Sequence, residues 1–203
     1  VIFYHDLHDD RRYTNMSTPV ELFEQHIKII RANGYEIVSE ITHPIGQIEI
    51  CFDDGFLGLH VNIELIKKLN IPVHLFIVSS FLGKERYMNQ NQLLELNDLE
   101  QIKISSHTNN HKILSQISDK EVENELKTSK DILEDITAKK IDSLCYPEGK
   151  FNNRVIEIAA SLGYSKQYSS IPGFYIDAFG KNVKKRSLVQ IADEKEFKAI
   201  LKG

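Results

Sequence analysis

The chain has 203 residues, of which 41% are hydrophobic and 27% charged, and carries a net charge of −4. That is the make-up of an ordinary globular domain with room for a sizeable core. The slight acidity argues against nucleic acid or an anionic membrane surface as partner, and no apolar run approaches the ~20 residues of a membrane span.

In chain order, Val1 to Tyr4 predicts a strand and His5 to Ser17 a long polar loop. Thr18-Pro19 with Glu21 predicts a helix start with Pro at the first helical position, and Phe23, Ile27 and Ile30 continue it to a stop at Gly34. Short strands are expected at Tyr35–Val38 and Ile48–Phe52, then an amphipathic helix over Leu57–Leu69. Val73–Val78 predicts a buried strand, Asn89–Leu99 a helix, Ile102–Ser105 a strand, and Asp119 to about Ile136 a long helix. The rest alternates likewise: strand Ser143–Tyr146, helix Asn153–Leu162 before Gly163, strands Tyr164–Tyr168 and Ser187–Ile191, and a last helix from about Glu194 to Leu201. Alternating strands and helices imply an α/β fold with a parallel sheet, either open or closed. No Gly-rich phosphate loop follows the first strand. A full eight-fold barrel needs ~250 residues, so a smaller or incomplete barrel fits better. With no repeats and no linker, residues 1–203 read as a single domain. Cys51 and Cys145 each end an apolar run and read as buried free thiols, which points to a reducing, cytoplasmic setting; a leader removed ahead of Val1 would make it extracytoplasmic.

Three strand-end motifs carry chemistry. Cys51-Phe52-Asp53-Asp54-Gly55 closes a strand with two adjacent carboxylates, which alternation points in different directions. Taken alone, a site and a solvated turn are evenly matched. Ser105-Ser106-His107-Thr108-Asn109-Asn110-His111 places two histidines four apart, which meet on one face if the residues between them make a helical turn. Two histidines and a carboxylate are the usual ligand set of an open catalytic zinc site. Cys145-Tyr146-Pro147-Glu148-Gly149 is a rigid turn whose backbone N–H groups can face the mouth; alone it reads as structural. In a parallel α/β fold all three share one rim.

Phe-Asp-Asp-Gly, His-Thr-x-x-His and Tyr-Pro-x-Gly, in this order, resemble the motifs of the polysaccharide deacetylase (NodB-homology) family. The segments Phe23 to Gly34 and Asn70 to Phe76 look like family segments too. The resemblance implies a distorted, incomplete (β/α) barrel that removes acetyl groups from sugars with a divalent metal, zinc first and cobalt or nickel as alternatives. It further implies Asp53 as general base, Asp54, His107 and His111 as metal ligands, and the Glu148 backbone N–H as donor to the oxyanion. The substrate expected is an acetylated amino sugar, as an oligosaccharide, a polysaccharide or a linked precursor in surface-polysaccharide metabolism.

The chain departs from the family pattern in two places. No histidine follows His111, where the family carries a Leu-x-His motif. The N-terminal Tyr4-His5-Asp6 resembles the family type whose acid motif lies at the N-terminus, which implies His5 as general acid with Asp6 as a possible orienter. Cys145 stands where an Arg often holds the base, and Arg186 resembles an Arg that other members use for that task, although a solvated Lys184–Arg186 run fits equally. His74 reads as a core histidine, and His8, His26, His43 and His60 as exposed ones. Tyr4, Phe56, Tyr146 and Phe151 are open candidates for stacking on a sugar. A non-sugar amidase of cyclic amides or ureides, and a silent carbohydrate-binding domain, are the alternative functions.

Overall fold

The structure, a computed structural model, describes residues 1–43, 45–173 and 183–202. Its centre is a sheet of eight strands: β1 (Ile2–Tyr4), β2 (Ile50–Phe52), β3 (Val73–Ile77), β4 (Ile102–Ser106), β5 (Ser143–Cys145), β6 (Lys166–Tyr168), β7 (Val183–Lys184) and β8 (Ser187–Leu188). They lie in the order β7-β6-β5-β4-β3-β2-β1-β8, and every pairing is parallel.

The two edge strands, β7 and β8, are separated in sequence only by Lys185 and Arg186. In a flat sheet seven inter-strand gaps would set those edges roughly 33 Å apart, whereas the chain from Lys184 to Ser187 spans at most about 11 Å. The sheet therefore curls until its edges almost meet, and Arg186 sits in the seam. This is the distorted, incomplete (β/α) barrel expected. Alternation along the strands sends Phe3, Cys51, Phe76, Cys145 and Tyr168 into one buried cluster inside the curl. Ile2, Tyr4, Ile50, Phe52 and Leu75 belong to the larger cluster that also takes in the helices.

The helices are α1 (Val20–Ala32), α2 (Leu57–Val61), α3 (Ile63–Leu69), α4 (Gln90–Asn97), α5 (Asp119–Thr137), α6 (Asn153–Ser161) and α7 (Glu194–Lys202). Local chemistry sets their starts. Asn89 and Ser118 form capping boxes with Gln92 and Glu121, and Asn152 accepts from Val155 N–H. Pro19 does not open α1 but precedes it as an extended N-cap, φ −57°, ψ 139°. The expected Leu57–Leu69 helix breaks at Asn62 into α2 and α3.

The stretch after β1 is not a plain loop. Asp6–His8 pairs in parallel with Ser17–Pro19, which buries Asp6 and His8. Helix α2 presses on this ladder, and a Cβ on Gly58 would overlap the Leu7 carbonyl oxygen and the Asp6 carboxylate. His8 is thus not exposed. Nor is His26, whose ring takes the Tyr4 hydroxyl at 3.0 Å and the Ala192 carbonyl at 2.8 Å. His74 is a satisfied core histidine, bonded to Glu49 and to Ser105, each at 2.7 Å. No described helix is long and apolar enough to cross a membrane, and both cysteines are buried free thiols.

Candidate active site

Parallel pairing brings the C-terminal ends of β1, β2, β4 and β5 to one rim. The register pairs Tyr4 with Phe52, so His5 and Asp53 follow as neighbours, and Asp53 N–H donates to Tyr4 O at 3.0 Å. The two carboxylates then separate because Asp54 adopts a left-handed conformation, φ +72°, not because a strand alternates. Gly55, φ +85°, completes the turn; a Cβ there would lie 2.9 Å from the Ile77 side chain.

Asp53 turns inward and meets Arg186 from the seam. The guanidinium donates Nη1 to Oδ1 at 2.7 Å and Nη2 to Oδ2 at 2.6 Å. Its Nε donates to Ser169 O at 2.9 Å, Nη2 also reaches Cys145 Sγ at 2.7 Å, and the Phe3 and Phe76 rings lie 4.3 and 5.2 Å from its central carbon. Arg186 has no exposed surface and Asp53 only 2%, so the Lys184–Arg186 run is not a solvated one. Burial alone would raise the Asp53 carboxyl, but the Arg186 charge and its hydrogen bonds overcome this and hold it at about 2.

Asp54 turns the other way. Its Oδ1 is buried without a hydrogen-bond partner and lies 3.4 Å from His107 Nε2 and 3.5 Å from His111 Nε2. His107 Nδ1–H donates to Cys145 O at 2.8 Å, which leaves Nε2 with its lone pair toward Asp54. The histidines do not sit on a helical turn. Thr108 and His111 both have positive φ, +66° and +58°, and side-chain bonds shape the loop. Thr108 N–H donates to Ser106 Oγ at 3.1 Å and His111 N–H to Thr108 Oγ1 at 3.0 Å. Buried Glu125 of α5 accepts from Asn110 N–H and Nδ2 at 2.7 and 2.8 Å. The rings end 4.9 Å apart.

Burial pushes Asp54 up to about 6 and His107 down to about 3, and lowers His111 as well. Burial thus disfavours charge on all three groups, a cost that a bound cation would offset. The donors fit one. Asp54, His107 and His111 offer ligand atoms within 4.8 Å of one another. The two 3.4–3.5 Å separations match the roughly 3.3–3.4 Å between donors that each lie 2.0–2.1 Å from a tetrahedral centre.

The remaining predicted residues flank this cluster. His5 is half-buried, with Nδ1 shielded and unbonded, and its charge would act on both Asp53 and Asp54. Asp6 does not orient it; its carboxylate accepts Leu59 N–H at 3.0 Å at the start of α2, and burial raises its pKa to about 7. Glu148 stands in a left-handed turn, φ +55°. Its carboxylate pairs with Lys150 at 2.7 Å, and its charge reaches His111. Tyr4 and Tyr146 are fully buried and not open for stacking; Phe56 is buried, and half-buried Phe151 stacks on Tyr146. Sequence reasoning passed over Glu125, Phe81 and Tyr87. Glu125 was detectable as an acid on the apolar stripe of α5, beside Val122, Leu126, Ser129 and Leu133.

A model of the family described as polysaccharide deacetylase matches residues 40–166, a span holding Asp53, Asp54, His107, His111 and Glu148 but not His5 or Arg186. The protein YxkH of Bacillus subtilis is 23% identical over 184 residues, 85% of this chain but only 64% of YxkH. Among solved structures, the deacetylase PplD of Streptococcus pyogenes, in complex with acetate, superposes with a TM-score of 0.84 at 21% identity over 99% of this chain and 95% of PplD. BC0361, a polysaccharide deacetylase from Bacillus cereus, gives 0.85 at 22% identity, over 98% of this chain and 67% of that one. A de-N-acetylase from Aggregatibacter actinomycetemcomitans gives 0.83 at 18% identity, over 98% of both chains. At these identities the structural likenesses speak for the fold.

Proposed function

The chain belongs to the polysaccharide deacetylase family, and from that premise we propose that it is a metal-dependent hydrolase that removes N-acetyl groups from an amino-sugar substrate. The observation that carries this reading is the division of labour between adjacent carboxylates. Asp54 converges with His107 and His111 on one point, while Asp53 is held apart and ionised by Arg186.

Asp54, His107 and His111 would hold the divalent ion, zinc before cobalt or nickel. When bound, it supplies Lewis acidity toward the acetyl carbonyl and lowers the pKa of water to about 7. Asp53 is a weak base at a pKa of about 2, but it is ionised throughout the working range and accepts the proton of the attacking water. The bidentate Arg186 keeps the carboxylate in one orientation. As water oxygen bonds to the carbonyl carbon, the Glu148 N–H donates to the developing oxyanion. His5 gives its proton to the amine nitrogen as the C–N bond breaks, releasing acetate and the free amino sugar. The acetate bound by PplD is the product such a reaction would leave.

The test is acetate release from N-acetylglucosamine oligomers by metal-loaded protein, with Asp53→Asn as the control. We expect turnover in the wild type and at least a 10²-fold loss in the variant. A chain that neither holds a transition metal nor releases acetate from any amino sugar overturns the reading.

A further inference from the structure

Beside the Asp54, His107 and His111 cluster stands an aromatic wall to which the mechanism gives no task. Phe56 and Tyr87 stack with ring centroids 4.6 Å apart and planes 20° apart. Phe81 leans on Tyr87 at 4.8 Å, lies 6.4 Å from His111, and carries the Lys84 ammonium over its ring at 4.7 Å. Phe81 and Tyr87 are only half-buried. Their loop is bolted to the Asp53–Gly55 turn: Phe56 and Tyr87 form a bridge, Leu57 N–H donates to Arg86 O at 2.9 Å, and Met88 N–H to Gly55 O at 3.1 Å. The Asp54 charge reaches the Tyr87 phenol, which burial already raises. The wall thus starts two residues after a candidate metal ligand and ends beside another.

Half-exposed rings at the lip of a polar cluster cost free energy unless something apolar covers them. The acetyl group must enter the cluster, so whatever carries it lies against this wall. A pyranose ring offers the match: one face of C–H groups for the rings, and hydroxyls at its edge for water and nearby polar groups. Leu82 and Gly83, between Phe81 and Tyr87 in the chain, line a cavity of about 340 Å³ together with Asn89, Gln90 and Asn91. Phe56 backs one face of Tyr87 and keeps the ring from turning, so little order is lost on binding.

We propose that Phe81 and Tyr87, backed by Phe56, form the stacking platform for the pyranose ring that bears the reacting acetamide. This rests on the deacetylase reading and makes the wall the element that selects a sugar over a small acyclic or cyclic amide.

The test measures KM and kcat on N-acetylglucosamine oligomers for Tyr87→Ala, Phe81→Ala and Tyr87→Phe, together with oligomer binding by calorimetry in an Asp53→Asn background. Glu95→Ala, on the exposed face of α4, is the neutral control. We expect the alanine variants to raise KM and the dissociation constant about fivefold to tenfold, with kcat and metal content much less affected and Tyr87→Phe recovering most of the affinity. Unchanged KM in both alanine variants, or a loss confined to kcat with metal content reduced, overturns the platform. If the wild type releases no acetate from any sugar, the deacetylase reading fails. The platform is then judged by binding alone: weaker binding in the alanine variants supports it, and equal or undetectable binding overturns it.

Discussion

Replacing Arg186 by Met keeps an apolar stem between Phe3 and Phe76 but removes the only cation bonded to Asp53 among the described residues. Breaking a buried pair from one side typically costs about 3–5 kcal/mol, because a charge is left without compensation. Here the cost has a ceiling, since Asp53 can take up a proton instead. Holding its carboxyl at about 2 instead of 3.8 corresponds to about 2 kcal/mol of favourable linkage, which the variant forfeits. The sign of the pH dependence then inverts. In the wild type the depressed pKa contributes stability that is present above about 4 and lost as pH falls toward 2. In the variant, burial raises the folded pKa above the unfolded one, so Asp53 costs stability as pH rises from 4. Urea unfolding of metal-free protein should show a deficit of about 3 kcal/mol at pH 7.5 that shrinks at pH 5.5. A deficit below about 1 kcal/mol, or one independent of pH, would refute the view that Arg186 keeps Asp53 ionised.

Glu125→Ala removes both acceptors of Asn110 and should weaken metal affinity by about 10–100-fold, measured by competition with a chromogenic chelator; unchanged affinity would show that the loop shapes itself. His5→Ala should lower amide turnover by about 10²–10⁴-fold with metal stoichiometry intact, and equal turnover on amide substrates would remove it from the mechanism. Gly58→Ala forces a methyl into the Leu7 carbonyl and the Asp6 carboxylate and should cost at least about 3 kcal/mol, seen as a drop in melting temperature of several degrees; a wild-type melting curve would mean that α2 shifts freely. His74→Ala leaves Glu49 without its imidazole partner and should cost about 1–3 kcal/mol, read from the same unfolding curves.

Periodicity and local capping carry most of the element order, because those signals lie within a few residues. The Asn89 and Ser118 capping boxes and the Gly34 stop, φ +77°, act locally, and the structure places those ends as the residues suggest. The misplacements are long-range. His26 lies on a helix whose exposed positions look no different from it, yet its partners Tyr4 and Ala192 are 22 and 166 residues away. The ladder between Asp6–His8 and Ser17–Pro19 has only three residues a side, with Leu7 its one large apolar side chain, too short for alternation to announce it.

The candidate site divides the same way. The three strand-end motifs, and the pairing of one carboxylate with two histidines, follow from residue types and from the parallel α/β rule that strand ends share a rim. That much belongs to the sequence. Where each carboxylate points, and what it meets, was decided by the left-handed turn at Asp54 and by the curl of the sheet. The curl alone delivers Arg186 across 133 residues to Asp53. Spacing along the chain does not encode that contact; it exists because eight strands with twin edges three residues apart must roll up, and the residue in the seam then points at Asp53.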